Sequence, residues 1–204
     1  METKPWLRSY PQGVPHEIDP AQYTSLTQLL EESFGRHAER PFSVCMERWM
    51  TYRQLDELAK SLGAWLQGKG LEPGAPVAIL PPDIPQFAVT MAAVLRAGYA
   101  CVNVNPLYTA RELEHQLKDS GATAIVILEN FCHTLEQAIE QTQVRHVVVT
   151  GMGDLLGTVY GQWITFAVRH LAKMVPAYKL PLSEGRTVTP LPAALMEGSR
   201  QELL

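Results

Sequence analysis

Ala122-Thr123-Ala124-Ile125-Val126-Ile127-Leu128 is an uncharged, mostly β-branched run, and three more of its kind stand around it. They are Pro76-Val77-Ala78-Ile79-Leu80, Tyr99-Ala100-Cys101-Val102-Asn103-Val104 and His146-Val147-Val148-Val149-Thr150. Each has the length and residue types of a strand. None alternates apolar with polar, which marks strands buried on both faces, as in a parallel sheet covered by helices. Helical patterns fill the gaps, at about 84–97, 109–119 and 131–141. Alternating strands and helices imply right-handed β-α-β crossovers. The fold class is therefore α/β, a mainly parallel sheet with helices on both faces. Leu80, Val102, Val104, Ile125, Ile127, Val147 and Val149 are its expected core.

Outward from this unit, residues 1–24 read as an extended arm rich in Pro and aromatic residues. Residues 25–150 read as the α/β subdomain. Ser25 and Gln28 have capping-box spacing and open a helix to about His37. Phe42 to Met46 and Trp49 to Thr51 predict a β-hairpin turning at Glu47-Arg48. Thr51 and Gln54 form a second box, before a helix with Leu55, Leu58, Ala59, Leu62, Trp65 and Leu66 on one face. Thr109 and Glu112 form a third. Residues 151–204 read as an amphipathic helix, about 155–175, and a segment with Pro176, Pro181, Pro190 and Pro192. That segment is expected to have no partner strand and to lead into a missing remainder.

Of the 204 residues, 46% are apolar and 19% charged, which excludes a disordered chain. The formal net charge of −4 argues against a nucleic-acid partner. Cys45, Cys101 and Cys132 are too widely spaced for a zinc site, and suit free thiols in a reducing compartment. The N-terminus lacks the apolar stretch of a signal peptide, and no run is long enough to span a bilayer. A cytoplasmic protein is expected, or one lying at the inner face of the membrane.

Ligands of open α/β sheets bind where strands end. No phosphate-binding G-x-x-x-x-G-K-[ST] loop and no G-x-S-x-G nucleophile turn is present. Gly151-Met152-Gly153, with Gly157 beyond, sits where a dinucleotide loop would, but has the wrong spacing; a plain turn is the better reading. Asn103 and Asn105 flank a strand end, Pro106 fixes the turn, and Tyr108 and Arg111 could reach a ligand. Equally, the Asn residues could cap a strand end while Arg111, Glu112 and Glu114 form a solvated helix face; the residue types favour the second. Physics alone stops at an α/β domain, with a binding module as one reading of it.

The string Asn103-Val104-Asn105-Pro106-Leu107-Tyr108-Thr109-Ala110-Arg111-Glu112-Leu113-Glu114-His115-Gln116-Leu117 closely resembles bacterial long-chain fatty acid–CoA ligases, AMP-forming enzymes of the adenylate-forming superfamily. Trp6 with Tyr10-Pro11, Met50-Thr51-Tyr52, Leu95-Arg96-Ala97-Gly98 and Gly151-Met152-Gly153-Asp154 lie in register with the same family, so the likeness spans almost the whole chain. Ala75 and Asp83 depart from the family's usual Asp and Asn. The resemblance implies the N-terminal subdomain of the adenylate-forming fold. It also implies a parent enzyme that turns fatty acid, ATP and CoA into acyl-CoA, AMP and pyrophosphate with Mg²⁺. The family's Thr/Gly-rich phosphate loop, its Lys and its adenine-binding motifs have no counterpart here. The chain is expected to end before them, as a piece or a truncated product. No catalytic, cofactor-binding or metal residue is assigned, and no cofactor is expected to bind this portion alone. A ligase for another carboxylic acid is the alternative within the superfamily.

On a helical wheel of 155–175, Tyr160, Trp163, Ile164, Ala167, Val168, Leu171, Met174 and Val175 share one face. Gln162, Thr165, Arg169 and Lys173 lie opposite. The stripe is read either as a contact with an anionic membrane or as packing against protein, with self-association into a homo-oligomer a further outcome.

Overall fold

The structure, a computed structural model, describes residues 4–181 and 185–204. Residues 1–3 of the expected arm and 182–184 of the Pro-rich segment lie outside them.

Five parallel strands make the main sheet: β3 (Pro76–Ile79), β4 (Ala100–Asn103), β5 (Ala124–Leu128), β6 (His146–Thr150) and β7 (Thr187–Pro190). Their order is β4-β3-β5-β6-β7. The chain runs from β3 outward to β4, then crosses back to β5, so the direction of winding reverses between β3 and β5. β5 is the middle strand and is buried along its whole length. Ala124 and Val126 enter one core with Leu62, Trp65 and Val89, from α2 (Tyr52–Gln67) and α3 (Pro85–Arg96). Ile125 and Ile127 enter the other, with Leu113 and Leu117 of α4 (Ala110–Ser120) and Leu135 of α5 (Cys132–Ala138). The period of two along a strand thus divides one apolar run between two cores.

α1 (Leu26–His37) precedes a separate hairpin of β1 (Pro41–Cys45) and β2 (Arg48–Thr51). Both reciprocal capping boxes expected at Thr51–Gln54 and Thr109–Glu112 form. At α1 only half of the box does: Ser25 accepts from the Gln28 N–H, but Gln28 Oε1 accepts from the Thr24 N–H at 2.8 Å. The hairpin turns one residue earlier than expected. Cys45 pairs with Arg48, and Met46 and Glu47 take positive φ of 46° and 62°. A two-residue hairpin loop needs that left-handed backbone to match strand twist, which neither residue type advertises.

Two further expectations are corrected. Residues 187–190 do have a partner: Val188 lies opposite Val147, making the Pro-rich segment the fifth strand. Its Pro190 is at the strand's last position on an outer strand, where a missing N–H is tolerated. α7 (Leu191–Gly198) then packs back on α2, and Trp65 Nε1 donates to Glu197 Oε2 at 2.9 Å. Val102 and Val149 are half-buried rather than buried. Val102 is on the edge strand β4, which has a neighbouring strand on one side only.

A charge on the middle strand should therefore be far worse than one on the edge. Val126→Asp is expected to prevent folding, because an unpaired buried charge costs several kcal/mol, about the scale of a domain's whole stability. Val102→Asp is expected to leave a folded but weakened protein. Far-UV circular dichroism and urea titration of both variants check the ranking; equal damage at the two positions would contradict the topology.

Candidate functional site

The carboxyl ends of β3, β5 and β6 meet beside the reversal point, where open sheets bind ligands. Three polar side chains are buried there among apolar ones: Gln86, Glu129 and Thr150. Gln86 Nε2 donates to the Gly151 carbonyl at 2.9 Å, tying the start of α3 to the loop after β6. Asp154 Oδ2 accepts from the Gly151 N–H at 2.8 Å and the Thr150 hydroxyl at 3.1 Å, which closes that loop on itself. Glu129 directly follows β5. Its Oε2 receives Arg169, from Nε at 2.7 Å and from Nη2 at 2.5 Å. Burial pushes the Asp154 carboxyl above its ordinary value, and the hydrogen bonds from Gly151 and Thr150 and the charge of Arg169 only partly oppose this.

The glycine loop has a packing role. A Cβ on Gly153 would stand 1.9 Å from the Gly161 carbonyl oxygen, and one on Gly161 would stand 2.1 Å from the Gly153 oxygen. The two backbones touch, and a methyl on either would drive them apart. The Gly151 N–H, which a phosphate in this loop would need, is already spent on Asp154. Among the described residues no group of three or more His, Cys, Asp or Glu is placed to hold a metal.

Arg169, on the polar face opposite the apolar stripe, is bonded to buried Glu129. The helix itself is shorter than 155–175. α6 spans Thr158–Phe166, widens into a π turn over Ala167–Leu171 and then ends. The polar stripe Gly161, Thr165 and Arg169 turns inward, against Gly151, Gly153 and Glu129. Trp163, Phe166 and Leu171 are left exposed, while Tyr160 and Ile164 are half-buried.

The loop after β4 resolves into turn and cap. Asn105 Oδ1 accepts from the Leu107 N–H at 3.0 Å. The Asn103 carbonyl accepts from Gln116 Nε2 at 2.8 Å. Glu112 accepts from the N–H and hydroxyl of Thr109, and these bonds hold its carboxyl below the usual value. Tyr108 and Arg111 line a surface hollow of about 470 Å³ with Glu112 and His115. Burial raises the thiols of Cys101 and Cys132, to about 11 and about 12, which makes both inert as nucleophiles. Glu129 and Gln86 carried no motif; the one available signal was an acid placed directly after a wholly apolar strand.

The model of the family described as AMP-binding enzyme matches residues 30–173. The chain belongs to the AMP-binding enzyme family. A long-chain-fatty-acid–CoA ligase of Escherichia coli O157:H7 is 49% identical over 179 residues, 87% of this chain and 32% of that protein. The chain thus spans about a third of the length of the curated relatives it matches. Among solved structures, an anthranilate CoA ligase in complex with anthranoyl-AMP is 26% identical, with a TM-score of 0.61, over 70% of this chain and 28% of the other. A long-chain-fatty-acid-CoA ligase from Archaeoglobus fulgidus is 25% identical, with a TM-score of 0.57, over 76% and 32%.

The raised Asp154 carboxyl has a consequence for stability in this member of the AMP-binding family. The folded chain holds that proton more tightly than the unfolded chain. The associated stability is fully present below the ordinary value of 3.8 and is lost as pH rises through the folded value. Asp154→Asn keeps an acceptor for Gly151 but cannot ionise. Relative to wild type, it is expected to gain stability as pH rises above about 4. Urea midpoints of the two proteins across pH give the difference, which should grow with pH and then level off.

Proposed function

We propose that the chain is the N-terminal part of a long-chain fatty acid–CoA ligase, which joins fatty acid to CoA while ATP becomes AMP and pyrophosphate. The observation that carries this reading is the 49% identity to such a ligase over 179 residues, with the Asn103–Leu117 string inside it. In this reading the chain supplies scaffold and no catalytic residue. ATP, Mg²⁺ and CoA would be held by other parts of the enzyme, consistent with the closed glycine loop. Fatty acid, rather than an aromatic or amino acid, is the substrate class favoured by the string.

Substituting this chain for the matching third of the Escherichia coli ligase tests the reading. The chimera is expected to make acyl-CoA from palmitate and to ignore benzoate, while the chain alone makes none. Losing even one charge-stabilising donor typically costs ~10²–10³ in rate. A folded chimera that is inactive, or that prefers the aromatic acid, would refute it.

We further propose that the outward face of α6 meets the inner, cytoplasmic surface of an anionic membrane, where a long-chain fatty acid partitions. Trp163 stacks on Phe166 at 5.9 Å, both are exposed, and Val159, Leu171 and Met174 extend the patch beside Lys173. Aromatic and aliphatic side chains with a nearby cation suit that interface. The chain is expected to sediment with vesicles rich in phosphatidylglycerol, less so at high salt, and Trp163→Ala with Phe166→Ala should abolish this. Sedimentation without lipid would instead show a homo-oligomer formed through the same face.

A further inference from the structure

Thr123, Arg145 and Arg186 directly precede β5, β6 and β7. Ala124 lies opposite His146, and His146 opposite Thr187, so the register sets the three side by side at the amino end of the sheet. This is the opposite end from Glu129 and Asp154. Backbone bonds fix the row. The Thr123 carbonyl accepts from the Arg145 N–H at 2.8 Å, and the Arg145 carbonyl accepts from the Thr187 N–H at 2.8 Å. With Lys69, just past α2, these residues line a hollow of about 540 Å³.

Lys69, Arg145 and Arg186 are the cations of that lining, and Glu72 is its one acid. Lys69 pairs with Glu197 at 3.0 Å and Arg186 with Glu140 at 3.2 Å. Both acids lie outside the lining and are about half exposed, so water and salt screen them. Arg186 also donates to the carbonyls of Val144, Ile139 and Pro181, so it serves as scaffold. Arg145 makes no ion pair among the described residues, and it is exposed. Thr123 Oγ1 is buried and has no hydrogen-bond partner among them. His146 shares Nδ1 with the Thr187 hydroxyl at 3.0 Å, which leaves Nε2 unused. Burial, with the charges of Lys69 and Arg145, pushes its imidazole below the ordinary value, so the ring stands within reach of both cations. A buried hydroxyl without an acceptor is costly, and an anion beside it would answer both hydroxyl and guanidinium.

We propose that this hollow binds a phosphate group, free or carried on an ester, through Arg145, Lys69 and the Thr123 hydroxyl. The guanidinium fork matches phosphate oxygens, and the ammonium adds charge. Donors from three separate elements suit a tetrahedral group better than a planar carboxylate. The volume leaves room for part of an ester beyond the phosphate.

Titration calorimetry of the whole chain at about pH 7.5, at constant ionic strength, tests this with inorganic phosphate, pyrophosphate and AMP. Saturable binding of at least one is expected, and the tightest of the three identifies the source as free phosphate, diphosphate or ester. The bound anion should also move the His146 titration upward, read from its imidazole proton resonances, because it offsets the two cations. Arg145→Ala is expected to weaken binding roughly tenfold. Thr123→Val keeps every charge and the side-chain size, and should weaken it several-fold, which general attraction to a basic surface would not do. No saturable binding of any of the three up to about 10 mM, or an affinity unchanged by either substitution, would overturn the proposal.

Discussion

A strand buried on both faces must satisfy two cores and two neighbouring strands at once, and β5 is that strand. Ala124 and Val126 are small enough to let α2 and α3 come close, with Trp65 filling the space between. Ile125 and Ile127 fill the opposite layer against α4 and α5. A shift of one residue would exchange these sets, placing the larger side chains where the smaller fit. Pairing with β3 on one side and β6 on the other then follows, since any open edge at β5 would leave buried N–H and C=O groups unpaired. The hairpin, the arm and the segment after β6 all attach to that frame without altering it.

Backbone-to-backbone contacts at glycine recur where later segments join the frame. Gly153 and Gly161 bring the loop after β6 against α6. Gly198 brings α7 against α2, where a Cβ would stand 1.9 Å from the Ser61 carbonyl oxygen. This explains why a G-x-G pattern following a strand misleads. The same lack of Cβ that lets a phosphate approach a loop lets a helix backbone approach it. Which of the two happens depends on whether the N–H groups remain available, and here Asp154 occupies the first of them.

The α/β alternation, the core of β5 and two capping boxes were legible because each rests on local pattern: apolar runs, helical spacing, Thr with Gln or Glu three residues on. β7 was not. Thr187-Val188-Thr189-Pro190 has β-branched residues, but its pairing with β6 is made some forty residues along the chain, and nearby prolines mask it. The Met46-Glu47 turn was missed because neither residue favours positive φ; the short connection between two paired strands imposes it. Of the polar cluster, Arg169 was legible as lying opposite the apolar stripe, but its partner Glu129 and the role of Gln86 were not. Their significance comes from burial and from partners far away in sequence, which no motif encodes.

The orientation of α6 shows how such a cluster overrides an apolar pattern. Periodicity alone would turn Trp163 inward, since burying one large apolar side chain stabilises by roughly 1.5–3 kcal/mol. Both Trp163 and Phe166 are only about half exposed, so leaving them outside forfeits part of that. Turning the helix over would instead strip Glu129 of Arg169, and a buried charge that loses its partner costs about 3–5 kcal/mol. It would also set side chains bulkier than Gly161 against Gly153, where there is no room for a Cβ. Electrostatics and close approach therefore decide together, and the aromatic face is left outward because the inward position is already claimed.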